Sequence, residues 1–242
     1  MASEIFRFKK FELRHSSSSM PVGTDGVLLG AWADVTSCTS RPEAKILDVG
    51  CGCGLIALML AQRCPLSRVE GIDIDEASVI EATGNAQASP FAGRVCFHHA
   101  DVIEFSQRES AGTYDLVVCN PPYYTEDTTP PDVRRSVARN SVHLSFENLL
   151  CSVGRLLADD GVFSVVIPMN ARDIFVTTAM LHGMRLRREC RVRTVLRKTS
   201  KRVLLEFGNQ VGIDVCVNEM LLQGPNGERS PEYADLCKDF YL

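Results

Sequence analysis

The chain has 242 residues, of which 45% are hydrophobic and 23% charged, and its formal net charge is -4 at pH 7. That size suits one α/β domain with small additions, and the acidic average excludes nucleic-acid binding by bulk charge. No apolar run approaches transmembrane length and the charged start Met1–Lys10 lacks a signal-peptide core, so a cytoplasmic protein with no membrane partner is expected. Ten cysteines are scattered, Cys51 and Cys53 are one residue apart, and no zinc spacing appears. Reduced, buried thiols and no bound metal are the expectation.

In chain order, residues 1–43 read as an N-terminal extension, a substrate-facing arm. Phe6, Phe8 and Phe11 alternate loosely with Arg7, Lys9 and Lys10, as in a short strand or a docking arm. Val22–Trp32 reads as a short helix capped by Thr24 or Asp25, with Val27, Leu28, Ala31 and Trp32 on one face. Ser37–Glu43 reads as a linker. From residue 44 to 207, strands and helices alternate. Strands are predicted at Lys45–Val49, Arg68–Ile72, Arg94–His98, Tyr114–Cys119 and Val162–Ile167. Helices are predicted at Leu55–Arg63, Glu76–Ala88, Phe146–Leu157 and Ala171–His182, the third stopping toward Asp159-Asp160-Gly161. Arg188–Leu196 and Lys201–Phe207 look like an antiparallel pair. This alternation predicts a doubly wound, mostly parallel sheet. Residues 208–242 form a C-terminal extension packed on the core, with a turn at Pro225-Asn226-Gly227 and a helix near Glu232–Phe240.

Three strand ends carry chemistry. The first runs into Asp48-Val49-Gly50-Cys51-Gly52-Cys53-Gly54, whose alternate glycines let a ligand approach the backbone. A dinucleotide fingerprint starting at Gly50 would need glycine at Leu55, and one starting at Gly52 would need it at Ala57. Asp48 is either a negative seat for a cationic ligand or a strand-end acceptor for loop amides; the two can coexist. Asp73 ends the second strand, where a carboxylate can accept both hydroxyls of a ribose. Asp75 is placed to cap the next helix. Asp101 ends the third strand and can accept from an adenine amine while the Val102 amide donates to the ring. The fourth strand stops at Asn120-Pro121-Pro122-Tyr123, because consecutive prolines cannot continue a ladder. An Asn oxygen and a prolyl carbonyl can grip one NH2 group while a tyrosine stacks on its ring.

The ordered set Asp48-x-Gly50-x-Gly52-x-Gly54, Asp73, Asp101-Val102 and Asn120-Pro121-Pro122-Tyr123 resembles the class I S-adenosylmethionine-dependent methyltransferases that act on amino groups. The resemblance implies a Rossmann-like α/β fold with a seven-stranded sheet whose last strand is antiparallel. It implies S-adenosyl-L-methionine as cofactor, held by Asp48, Gly50, Gly52, Gly54, Asp73, Asp101, Val102 and Asn120. Asn120, Pro121 and Tyr123 become the catalytic set. A closer resemblance reaches both ends. Phe6-Arg7-Phe8-Lys9-x-Phe11, Met20-x-Val22 to Trp32, Arg135-x-x-x-Arg139 and Asp239-Phe240-Tyr241-Leu242 are similar to the family of bacterial tRNA1(Val) (adenine-37-N6)-methyltransferases. Pro21 departs from that family, where a basic residue precedes Val-Gly-Thr-Asp.

The substrate is then expected to be tRNA, with Tyr123, Arg134, Arg135 and Arg139 in contact with it. Two further basic clusters stand at Arg7, Lys9, Lys10 and Arg14 and across 185–202, where Glu189 is the one acid. A solvated strand face is the plainer account of any single cluster. Two competing readings remain. A protein glutamine-amide methyltransferase would use the same Asn-Pro-Pro-Tyr grip, and an RNA-binding protein could keep the scaffold without catalysis.

Overall fold

The computed structural model describes residues 4–15, 22–121, 144–210, 212 and 214–242. A hairpin of β1 (Glu4–Arg7) and β2 (Glu12–His15) opens the chain. Its turn is closed by the Phe8 amide donating to the Phe11 carbonyl at 2.9 Å. Two helices follow, α1 (Thr24–Trp32) and α2 (Thr36–Ser40). The strands β3 (Lys45–Val49), β4 (Arg68–Asp73), β5 (Val95–His99), β6 (Tyr114–Cys119) and β7 (Leu157–Pro168) then alternate with helices. These helices are α3 (Leu55–Arg63), α4 (Glu76–Gln87), α5 (Val102–Arg108) and α6 (Phe146–Leu156). After α7 (Arg172–Leu181) come β8 (Arg185–Arg193), β9 (Arg202–Gly208), β10 (Cys216–Leu221) and α8 (Pro231–Leu236).

One eight-stranded sheet organises the chain, in the order β10-β8-β9-β7-β6-β3-β4-β5. β9 runs antiparallel to both β7 and β8, and the other pairings are parallel. Seven of these strands are the expected set; β10 is an eighth that the sequence pattern did not reveal. Its side chains are mostly exposed, so it lacks the apolar signature of a buried strand and is held by main-chain pairing to β8. The residues read as a linker also contain α2, five residues long, which buries only Cys38.

Two apolar clusters sandwich the sheet. One gathers α1, α3 and α4 with the aromatic hairpin; the other gathers α6 and α7 around Phe163, Phe175 and Phe207. α6 begins at Ser145, whose Oγ accepts from the Asn148 amide at 3.1 Å. It does not stop at Asp159-Asp160-Gly161. The chain turns extended at Leu157, and β7 starts there. Gly161 serves close packing instead, since a Cβ on it would lie 2.9 Å from both the Leu157 side chain and the Tyr114 carbonyl.

α1 is not capped by a side chain. Gly23 is its N-cap, and Asp25 in the first turn forms an ion pair with Arg202 on β9. The helix packs on α3 through glycines one turn apart. A Cβ at Gly26 would meet Leu55 at 2.9 Å, and one at Gly30 would meet Met59 Sδ at 2.8 Å. Arg63, in the last turn of α3, ties the other end by donating to the carbonyls of Gly30 (2.9 Å) and Ala33 (2.8 Å). Gly30→Val should therefore overpack this contact and destabilise the protein by about 1–3 kcal/mol. Urea unfolding of the variant against the wild type measures it, and equal midpoints would show that the helices separate freely.

Candidate active site

Parallel pairing brings the carboxyl ends of β3, β4, β5 and β6 to one edge. Val49 pairs with both Ile72 and Cys119, and Asp73 pairs with His99. Gly50 and Asn120 therefore leave adjacent strands at the same level, beside Asp73 and two strands from Asp101. The sequence-predicted residues that the structure describes are all collected there.

The glycine loop takes left-handed backbone at each glycine, with φ of 71° at Gly50, 52° at Gly52 and 85° at Gly54. The amides of Gly50 and Cys51 both donate to the Ile72 carbonyl, at 2.9 and 3.0 Å, which folds the loop onto β4. Among the described residues, a Cβ at Gly50 or Gly52 would meet nothing within 4 Å, whereas one at Gly54 would strike Phe97 at 2.8 Å. Gly54 thus seats the N-terminus of α3 against β5, while Gly50 and Gly52 border open space.

Asp48 is fully buried. Its Oδ2 accepts from the Ala57 amide at 3.0 Å. That amide belongs to the first turn of α3, whose N-cap, Gly54, has no side chain to offer. Asp48 thus caps the helix that follows its own strand; of the two compatible roles expected for it, a seat for a cationic ligand or an acceptor for loop amides, the second is met by a helix amide instead. Its Oδ1 is buried with no hydrogen-bond partner among the described residues. Burial pushes the carboxyl up to about 7, helped by nearby Asp73 and opposed by the Ala57 amide.

Asp73 accepts from the Gly52 amide (2.8 Å) through Oδ2 and from the Asp75 amide (2.9 Å) through Oδ1. Burial raises its carboxyl above the ordinary value, and these amides pull the other way. Asp75 caps α4 as expected, its Oδ2 accepting from the Ser78 amide at 3.1 Å. Asp101 caps α5 through Oδ1, which accepts from the amides of Ile103 (2.7 Å) and Glu104 (3.3 Å). Val102 is the first residue of α5, so its amide has no acceptor within the helix. Asn120 is partly buried and Pro121 buried. Pro21, Pro122, Tyr123, Tyr124, Arg134, Arg135 and Arg139 lie outside the described residues.

Sequence reading passed over Ile74. It follows Asp73 directly and is 59% exposed at this edge. An isoleucine that a strand end leaves outside the core was the available signal. The arginine run at 185–202 was read too simply. Arg172 and Arg191 both hold the buried Glu189, Arg188 holds the buried Glu206, Arg193 faces Glu219 and Arg202 faces Asp25. In the hairpin, Arg7 pairs with Glu12, and Lys9 Nζ donates to the Lys238 carbonyl. Much of both clusters is structural.

Three carboxylates and an open glycine loop suit a ligand that brings positive charge and hydroxyls, and they repel a pyrophosphate. Residues 30–172 match the family described as methyltransferase small domain. A tRNA1(Val) (adenine(37)-N6)-methyltransferase of Phocaeicola vulgatus is 40% identical over 243 residues, covering 100% of this chain and 99% of that one. The chain belongs to this methyltransferase family. A relative with the same name from Erwinia tasmaniensis is 38% identical, covering 98% of this chain and 94% of its own. The fold agrees. A predicted O-methyltransferase from Agrobacterium tumefaciens superposes with a TM-score of 0.68 at 16% identity, over 89% of this chain and 96% of that one. TrmN from Thermus thermophilus superposes with a TM-score of 0.53 at 22% identity, over 74% of this chain and 48% of that one.

The state of Asp48 predicts a pH dependence. Its folded value, about 7, lies above the 3.8 of an ordinary aspartate. A raised carboxyl contributes stability that is complete below the unfolded value and lost as pH rises through the folded one. The ligand-free protein should thus lose stability between pH 4 and 8 in a way that Asp48→Asn does not. Urea unfolding of both proteins at pH 5 and pH 8 checks this, and parallel curves would place the Asp48 titration elsewhere.

Proposed function

We propose that the protein transfers the methyl group of S-adenosyl-L-methionine to the exocyclic N6 amine of an adenine in tRNA, adenine-37 in the anticodon loop of tRNA1(Val). The observation that carries this reading is the meeting of Asn120-Pro121 with the Asp48–Gly54 loop and Asp73 at one sheet edge, in a chain that matches tRNA1(Val) methyltransferases end to end. The cofactor supplies an electrophilic methyl group on a positively charged sulfur.

The chain's own groups bind and orient. Gly50 and Gly52 leave room for the methionine portion, and Asp48 offers negative charge beneath it. Asp73 accepts from the ribose hydroxyls. Asp101 accepts from the adenine amine of the cofactor, the Val102 amide donates to its ring, and Ile74 covers one face. Across the edge, Asn120 Oδ1 and the Pro121 carbonyl accept the two N–H bonds of the target amine. That grip favours a tetrahedral nitrogen whose lone pair faces the methyl group. An adenine amine is a weak nucleophile, so positioning supplies most of the effect. A strong base is not required, because the methylated ammonium is acidic and loses its proton late. Tyr123 stacks on the extruded base, which an already unpaired loop gives up at lower cost than a duplex. Arg134, Arg135 and Arg139 hold phosphates nearby.

Asp73→Ala should weaken cofactor binding by about 1–3 kcal/mol, because the ribose hydroxyls lose their acceptor. Titration calorimetry measures it, and unchanged affinity removes Asp73 from the site. Asn120→Ala should abolish methyl transfer while cofactor affinity stays near the wild-type value. Mass spectrometry of nucleosides from tRNA incubated with labelled cofactor reads the product. Turnover within a few-fold of wild type would refute the acceptor pair, and methylation of a protein glutamine in place of adenine would overturn the whole assignment.

A further inference from the structure

The two ends of the chain meet beside α3, where Gln62 Nε2 donates to the Asp239 carbonyl at 2.8 Å. The Lys9 amide donates to the Phe240 carbonyl at 2.8 Å, and the Phe6 and Phe8 rings lie 6.3 and 6.1 Å from that of Tyr241. Tyr241 and Tyr233 share a hydroxyl contact at 3.0 Å. The Arg229 guanidinium stacks on Tyr241, 3.9 Å from the ring centroid. Arg229 and Tyr233, which these contacts hold, line a groove of about 360 Å³ together with Thr24, Thr194, Arg202 and Leu222.

The groove sits at the same sheet edge as Asn120. β8 runs parallel to β10, and β9 starts at Arg202, opposite Pro168 at the end of β7. The connection from β8 to β9 therefore emerges on the catalytic side, about 14 Å along the edge from β6 at roughly 4.8 Å per strand. It is an ordered loop, with the Lys198 amide donating to Val195 (3.0 Å) and the Lys201 amide to Val192 (3.2 Å). Arg197, Lys198 and Lys201 are exposed on it. Among the described residues, none of these three side chains has a carboxylate partner, unlike the strand arginines beside them. Asp25 is already committed to Arg202, and Glu228 turns back to accept from the Asn226 amide at 3.0 Å. The part of the edge formed by β8 and β9 is thus left with three exposed cations that have no ion pair among the described residues, on a chain whose total charge is negative.

We propose that this groove and the β8–β9 loop form a second RNA-contact surface, holding the phosphate backbone of the same tRNA at a distance from the target base. The inference rests on the tRNA reading above and assigns it residues apart from Arg134, Arg135 and Arg139. Phosphate is the matching chemistry because the donors are guanidinium, ammonium and hydroxyl groups. Arg229 is oriented by its aromatic support, which makes it the fixed point of the surface.

The test uses the full-length protein and fluorescently labelled tRNA. Lys198→Gln/Lys201→Gln should raise the tRNA dissociation constant about tenfold at moderate salt and lower the slope of log affinity against log salt by about one per lysine. Arg229→Gln should weaken binding as well. Thermal midpoint and cofactor affinity of the lysine pair should match the wild type, since these side chains are exposed and make no ion pair among the described residues. Wild-type affinity and salt slope in the lysine pair would overturn the surface, and so would a wild-type protein that does not bind tRNA. Binding that responds to these changes without adenine methylation would uphold the surface and refute the methylation reading.

Discussion

One unsatisfied oxygen governs the site. The Oδ2 of Asp48 accepts from the first turn of α3, and its Oδ1 is buried without a donor among the described residues. The arrangement is costly alone, because a buried acceptor has lost its water. It is tolerable while the carboxyl holds a proton, and it becomes favourable when positive charge arrives above it. The glycine loop provides the approach, since Gly50 and Gly52 present no Cβ on that side. The same carboxylate anchors α3, and α3 is in turn fixed by the glycine face of α1. The helix packing of the N-terminal segment thus sets the position of an atom in the cofactor region. That coupling explains why α1, which precedes the first strand of the main sheet, cannot be treated as an appendage.

Legibility followed burial. Leu47, Val49, Val117 and Phe163 belong to strands covered on both faces, and their continuous apolar runs identified β3, β6 and β7 directly. The consecutive prolines after Asn120 placed a strand end without any appeal to contacts. β10 stayed hidden because its residues are exposed and its stability comes from main-chain pairing, which leaves no compositional trace. Asp48 was recognised as a site residue, but its helix partner was not. A cap supplied by another element is a tertiary fact, and the spacing of nine residues between Asp48 and Ala57 gives no local signal. Gly161 shows the converse error. An Asp-Asp-Gly run after a helix looks like a stop, yet the glycine is there because β6 passes too close for a side chain.

Charge was the least legible property. Nine basic residues between 185 and 202 suggest a polyanion surface when counted in sequence. In three dimensions, Arg188 and Arg191 of β8 pair with Glu206 and Glu189, acids that the fold buries. A buried carboxylate demands a counterion, so those arginines serve the sheet before any ligand. Sequence position cannot separate the two kinds, because the deciding partner Glu206 lies on another strand.

What survives this subtraction is more informative than the original count. Among the described residues of that run, the cations without a carboxylate ion pair are Arg185 and Arg187 at the start of β8 and Arg197, Lys198 and Lys201 in the loop at its end, and the loop three stand at the catalytic edge. At physiological salt an exposed charge is felt over about 8 Å, so distant lysines cannot compensate for a repulsive total charge. A protein with a net charge of -4 can hold a polyanion only where cations are concentrated and acids are neutralised. On the proposed tRNA reading, Arg197, Lys198 and Lys201 supply that concentration at the part of the edge formed by β8 and β9, apart from the carboxylates on β3, β4 and β5. Such a distribution would orient an RNA with its backbone on the β8–β9 loop and away from Asp48, Asp73 and Asp101, which leaves the ground between them, at Asn120, for the target base.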